Sequence, residues 1–325
     1  MTPTAVRPIL VAAAILAVSS LRAQGAPDHL LLAVSQADKT LAVFKVQGKA
    51  LTPVKTLPIG NGTREVCVAA DGRRAYVSND KDSTITVVDL DTLAVVATIA
   101  LPGVKRPDGC ATSPDSRKLY VAGMESENVA VLSTDTYQVL KQLAVDNEPR
   151  RILFSPDARR MYVSREESDQ IAVFDAATEA PAGSLKSGGH GPRTMMFLPD
   201  KVTMLATNVD DDTISFIKPE TKEVTLTIGS GGSPQRLGLS PDGQSAYVLS
   251  VLEHKVSIVD LKGPHIRAKK FVSVGEGPWG MAMNDERTLL FVGSAKDNTV
   301  VAYDTATMQP VATVSVNRPM GLAYR

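Results

Sequence analysis

Residues 234–261, PQRLGLSPDGQSAYVLSVLEHKVSIVDL, contain the unit that repeats along the chain. A short strand at 235–239 runs into a Ser-Pro-Asp-Gly turn. A second strand is centred on Tyr247, and after a polar turn a third covers 256–259. Period-two alternation punctuated by Pro-Asp-Gly is a hairpin signal. The turn acids recur as Asp71, Asp115, Asp157, Asp200, Asp242 and Glu286. Five residues after each stands Tyr76, Tyr120, Tyr162, Leu205, Tyr247 or Phe291, and thirteen further on Asp89, Ser133, Asp175, Lys218, Asp260 or Asp304. Fixed offsets at a period of 42–44 residues mean supersecondary units set in a stack or a ring.

The two ends choose the ring. A turnless first copy keeps the spacing Leu32 to Lys45 and supplies strands at 30–34, 41–46 and 53–57, with no innermost strand before them. The C-terminal stretch 318–325 matches the innermost strand that begins Pro278-Trp-Gly-Met and is one strand too many. The pattern predicts an all-β fold, a seven-bladed β-propeller with four-stranded blades, closed when strand 320–324 joins the N-terminal blade. Closure removes sheet edges that invite aggregation.

Lys+Arg and Asp+Glu are 35 each, so nothing in the charge balance calls for nucleic acid or an anionic membrane as partner. Arg7, the apolar run at 9–18 and the small residues Ala23-Gln24-Gly25 read as a secretory signal peptide over 1–25. The remainder, 26–325, reads as one propeller domain with no membrane span, periplasmic or secreted, and a monomer is expected.

The second strands read Tyr76-Val-Ser-Asn79, Tyr120-Val-Ala-Gly123, Tyr162-Val-Ser-Arg165, Leu205-Ala-Thr-Asn208, Tyr247-Val-Leu-Ser250 and Phe291-Val-Gly-Ser294. With the Ser-Pro-Asp turns at 113, 155 and 240, the repeat resembles the YVTN family of seven-bladed propellers. A single Trp argues against WD40 and Trp-docked quinoprotein propellers, and the chain has no Cys-x-x-Cys-His for covalent haem.

Strand polarity puts the Ser-Pro-Asp-Gly turns on a plain face, as turn formers. The opposite face collects the loops that precede each inner strand. Equivalent places there hold Arg64, Asp108, Arg150, Arg193, Gln235, Trp279 and Met320, with Arg151 and Arg236 one residue on. Two readings stay open. The arginines form an anion-binding funnel with Trp279 as an apolar wall, since guanidinium forks suit carboxylate or phosphate. Otherwise they pair with Asp108, Glu65 and Glu148 and close the channel. The Asp210–Asp212 run is read as a solvated turn rather than a Ca²⁺ site, although clustered carboxylates suit that ion.

Gly191-Pro-Arg193 is similar to a channel-mouth motif of the lactonase branch of seven-bladed propellers, of the 6-phosphogluconolactonase type. That resemblance implies hydrolysis of a small anionic lactone with a His and a Glu in the channel. Here Ala111 and Val209 stand where those residues would be, and of four His only His190 is near the mouth. The residues therefore favour a non-catalytic binding or scaffold module, with Arg64, Asp108, Arg150, Arg193, Arg236, Trp279 and His190 as its ligand surface. The expected partner is a small anion or a protein; no metal, cofactor or catalytic residue is expected. Cys67 and Cys110 lie on neighbouring inner strands and admit either a disulfide or two buried thiols.

Overall fold

The computed structural model describes residues 29–262 and 266–325; the leader read at 1–25 and His265 lie outside them. Among the described residues, twenty-eight strands form seven four-stranded antiparallel sheets. In chain order blade 1 is 30–58 with 319–324, and blades 2 to 7 are 63–100, 107–144, 149–186, 192–229, 234–273 and 278–315. Strands are lettered A to D outward from the central channel. The ring closes as the repeat spacing predicts. Pro319–Tyr324 pairs antiparallel with Leu30–Ser35, and Leu30 and Arg325 exchange both backbone hydrogen bonds at 2.8 and 2.9 Å.

The core lies between blades rather than at one centre. Each of seven apolar clusters draws its buried residues from two adjacent blades. The strand-B rings of Tyr76, Tyr120, Tyr162 and Phe291 are fully buried in them. Tyr120 meets Phe154 of the next blade edge-on at 5.4 Å, and Phe291 stacks on Tyr324 at 6.0 Å. Each such ring contributes about 1.5–3 kcal/mol of burial, and it does so only when the neighbouring blade is present.

The A–B turns work locally. Ser113, Ser155 and Ser240 donate to Asp115, Asp157 and Asp242 at 2.5, 2.6 and 2.6 Å, and those carboxylates accept backbone N–H groups two residues on. On the opposite face, B–C carboxylates cap loops. Asp82, Asp211 and Asp297 accept the N–H of Asn61, His190 and Glu276, and Asp212 accepts that of Ser233. Asp211 and Asp212 are thus engaged in holding loops.

Inner strands of neighbouring blades run close together. A Cβ on Gly109 would fall 2.1 Å from the Arg150 carbonyl oxygen. The same proximity brings Cys67 and Cys110 to a Cα separation of 5.9 Å, and they are joined as a disulfide that ties blade 2 to blade 3. Closing a loop across 43 residues of separation is worth ~4 kcal/mol in the chain-entropy model. Replacing both cysteines by serine should lower unfolding stability by about 2–4 kcal/mol in urea titrations. An unchanged midpoint would show that the bridge constrains nothing the ring does not already hold.

Candidate functional site

Strand A opens with Pro in six blades and with Thr63 in blade 2. Just after that residue its pairing with strand B slips, in blades 2 to 7 alike. A bulge re-aims side chains that strict alternation would send to opposite faces. Successive residues therefore enter one cluster: Arg64 with Glu65, and Arg150 with Arg151.

Asp108 is the hub. Its carboxylate, 3% exposed, lies 3.4 Å from Arg150, 3.8 Å from Arg64, 3.9 Å from Arg151 and 4.0 Å from Arg193. Arg150 also bonds Glu148 at 2.9 Å and Glu166 at 2.8 Å, and Arg193 takes the other oxygen of Glu166 at 2.7 Å. Arg64 donates to Asp80 at 3.0 Å. Arg236 donates to Glu65 Oε2 at 2.6 Å, and Arg151 shares that oxygen. Arg193 stands over the Trp279 ring at 5.9 Å.

Burial would raise the Asp108 pKa, but Arg151, Arg193, Arg64 and Arg150 outweigh it and hold the carboxyl well below the usual carboxylate range. Desolvation pushes Arg193 down to about 10, with Arg150 and Arg151 adding to that and Glu166 and Asp108 resisting it. Desolvation and Arg151 also lower Arg236. Both guanidiniums remain charged at neutral pH.

The arginines are therefore paired, as the second of the two sequence readings had it, and they close the mouth. The space left among Arg64, Glu65, Asp108, Arg193, Trp279 and Met320 is about 10 Å³. Beneath it the channel opens into about 220 Å³ with Val66, Ile152, Met195, Leu237 and Met281 as apolar walls. Glu65, Arg151 and Arg236 sit at the mouth-side end of that cavity and line both spaces. Leu237 and Met281 also border a space of about 300 Å³ that reaches Asn284–Arg287 at the plain face. The accessible volume thus lies on the plain-face side of the cluster, because ion pairs fill the loop-side mouth.

Of the residues singled out from sequence, Arg64, Asp108, Arg150, Arg193, Arg236 and Trp279 come together. His190 does not: it is exposed, its N–H bonded to Asp211, and no described bond ties its ring to the arginines. Sequence reading gave Glu65 only a charge-pairing role, and Glu166 was not singled out. The signal for Glu65 lay in the register, since each bulge brings a third strand position inward, whereas Glu166 arrives from a B–C loop. Within the cluster the Nε and Nη1 atoms of Arg151 are buried without a hydrogen-bond partner, and Glu65 Oε1 accepts none of the described side-chain bonds. Unspent donors and an unspent acceptor beside an apolar cavity are features of a ligand site.

The family described as "Lactonase, 7-bladed beta-propeller" matches residues 23–185, just over half of the 325 residues, and a YNCE-like β-propeller family matches 154–312. No curated protein matches the chain. Among solved structures, hydrazine synthase of Kuenenia stuttgartiensis is 22% identical, with 86% of this chain and 92% of that one covered at a TM-score of 0.72. The periplasmic gluconolactonase of Pseudomonas aeruginosa is 17% identical over 91% and 98%, at 0.73. A candidate 6-phosphogluconolactonase of Bacteroides fragilis is 17% identical over 92% and 98%, at 0.78. At these identities the likeness is one of fold.

Proposed function

Since the chain belongs to the lactonase family of seven-bladed β-propellers, we propose that it hydrolyses a small lactone in the channel cavity under the arginine cluster. Within that family its strand-B repeat is read as the YVTN type. The observation that carries the reading is Arg151: its Nε and Nη1 are buried without a hydrogen-bond partner, beside Glu65, at the head of a cavity of about 220 Å³. The residues alone favoured a non-catalytic module because neither the His nor the Glu that the lactonase resemblance implies was in place as a base. Glu65 supplies a carboxylate in that role.

The step balances with water alone. Glu65 Oε1 takes a proton as the water oxygen attacks the lactone carbonyl carbon. The Arg151 N–H groups receive the charge that develops on the carbonyl oxygen. The ring C–O bond then breaks, and the proton passes from Glu65 to the departing alkoxide. Apolar walls suit the carbon frame of the ring. An acidic substituent would be met by Arg236, so an anionic lactone is the expected preference.

The test is hydrolysis of δ-gluconolactone and other small lactones in a pH-stat, against the spontaneous rate. Glu65→Gln should lower kcat by about 10²–10⁴ and Arg151→Met by about 10²–10³, with the folded state checked by circular dichroism. Wild-type turnover no faster than the buffer, or full activity in Glu65→Gln, sinks the proposal. The second reading is a non-catalytic anion or partner module, favoured by the fact that Arg64, Arg150 and Arg193 each already hold an acid. Saturable lactone binding without turnover would select it. Export to a periplasmic or extracellular compartment fits the Cys67–Cys110 bridge, and a monomer needing no nucleic acid remains the expectation.

A further inference from the structure

The C–D turns of blades 2, 3, 4 and 7 present a fifth residue whose φ is positive, Leu93, Tyr137, Glu179 and Met308, at 50–59°. In all four the side chain fills the gap against the preceding blade. Leu93, Tyr137 and Met308 join the inter-blade apolar clusters, and Glu179 accepts the Tyr120 hydroxyl at 2.6 Å. The turn is held by two devices. The side chain of Asp89, Ser133, Asp175 or Asp304 accepts its backbone N–H groups. The N–H of the next residue (Leu90, Thr134, Ala176 or Thr305) bonds the carbonyl before strand B at 2.9–3.0 Å.

Blade 5 has lost both. The Lys218 side chain has no acceptor to offer the turn's backbone N–H groups, and Pro219 has no N–H to give the Val202 carbonyl. The turn closes one residue shorter, Lys222 N–H to Pro219 at 3.3 Å, where Tyr137, Glu179 and Met308 reach back to Ser133, Asp175 and Asp304. Lys222 is exposed, and the gap between blades 4 and 5 is open, about 720 Å³. Its floor is Tyr162 and Phe197, ring centroids 5.9 Å apart, and the Tyr162 hydroxyl makes no described hydrogen bond. Arg159, Arg160 and Lys201 line it. The acids beside them are largely committed. Asp157 and Asp175 each hold their own turn through Oδ1, leaving Arg159 and Arg160 only pairs of 3.8 and 3.4 Å. Lys201 has no ion-pair partner among the described residues, and Glu220 is the remaining acid.

We propose that this cleft is a binding site for a small aromatic acid: the ring lies on Tyr162 and Phe197 in the place a turn side chain takes elsewhere, and the carboxylate meets Lys201 and Arg160. Aromatic contact, together with an exposed lysine and a half-buried arginine, Lys201 and Arg160, supplies the anchors for a ligand of that size. The site stands apart from the channel cavity and does not depend on the lactone reading.

Calorimetric titration of the full chain with phenylacetate and with its neutral amide, phenylacetamide, tests it. Phenylacetate should bind one to one, at least tenfold more tightly than the amide, and Lys201→Gln should bring it to the amide's level. Restoring the blade 7 pattern with Lys218→Asp, Pro219→Thr and Lys222→Met should cut binding at least tenfold and raise the thermal midpoint. Absence of saturable binding at millimolar acid overturns the proposal. So does equal affinity for acid and amide, or binding that survives the three turn changes. Loss of binding in Glu65→Gln with none in Lys201→Gln would put the acid in the channel and overturn it as well.

Discussion

A chain ending before Pro319 should not fold to a stable ring. Strand 319–324 is the inner strand of blade 1 and, among the described residues, pairs with Leu30–Ser35 alone. It also carries buried Met320 and Leu322 and the ring of Tyr324, which stacks on Phe291 of blade 7. Arg325 adds a bond to the Leu90 carbonyl at 2.9 Å and a contact with Asp91, both in blade 2. One short strand thus holds blades 7, 1 and 2 together. Burial of three large side chains is worth about 1.5–3 kcal/mol each, a sum comparable with the 5–15 kcal/mol that usually separates folded from unfolded. Removal also leaves Leu30–Ser35, buried at every position, as an unpaired edge. The expected result is insoluble protein, or soluble protein without a cooperative thermal transition. A truncated chain with the full-length midpoint and solubility would refute closure through this strand. Gly321→Val should act in the same direction more mildly, since a Cβ there falls 2.8 Å from Glu65 Cα.

The blades were legible because each repeats the same offsets from a turn acid to a ring to a strand end. Those offsets record contacts every unit must make with its neighbour. Closure was legible for a related reason: a half-unit at each end is a statement about pairing, not about propensity. The site was legible in part. Arg64, Asp108, Arg150 and Arg193 share one register position, so the repeat itself puts them round the mouth. Whether they are free or paired depends on which acids approach across blade boundaries, and single-chain spacing does not carry that. Glu166 comes from a B–C loop and Glu65 from the bulged position, so both reach the cluster through three-dimensional adjacency. Strict alternation would have turned Glu65 and Arg151 away from Arg64 and Arg150. The bulge that keeps them together is a departure from the strand pattern on which the reading rests. The open cleft in blade 5 was visible only as Lys218 in place of an acid, and its meaning needed the filled counterparts.

Asp108→Asn should cost about 3–5 kcal/mol, the usual penalty for removing one partner from a buried ion cluster. The change keeps size and shape, so packing is not the cause. It leaves Arg64, Arg150, Arg151 and Arg193 facing one another with the central anion gone; Arg150 and Arg193 are themselves 8% exposed. Replacing Arg64 by Gln should cost less, because three arginines still share the carboxylate. Acidity separates charge from shape. The folded Asp108 pKa lies below its unfolded value of about 3.9. The stability it supplies is therefore present above that unfolded value and is lost as pH falls through the folded pKa. Urea unfolding of wild type and Asp108→Asn should show a constant gap from pH 8 to about pH 5, and a narrowing one below about pH 4. A gap that stays the same into acid would mean that the asparagine acts through geometry rather than charge. A closed mouth held by charge has a further consequence for the channel. The variant that loses the hub should let water into the space now limited to about 10 Å³, and the Arg151 donors would then be reached from both ends. If the proposed lactone hydrolysis holds, turnover in Asp108→Asn, measured at a temperature where it is still folded, should accordingly fall, because water admitted at the mouth competes for the Arg151 donors.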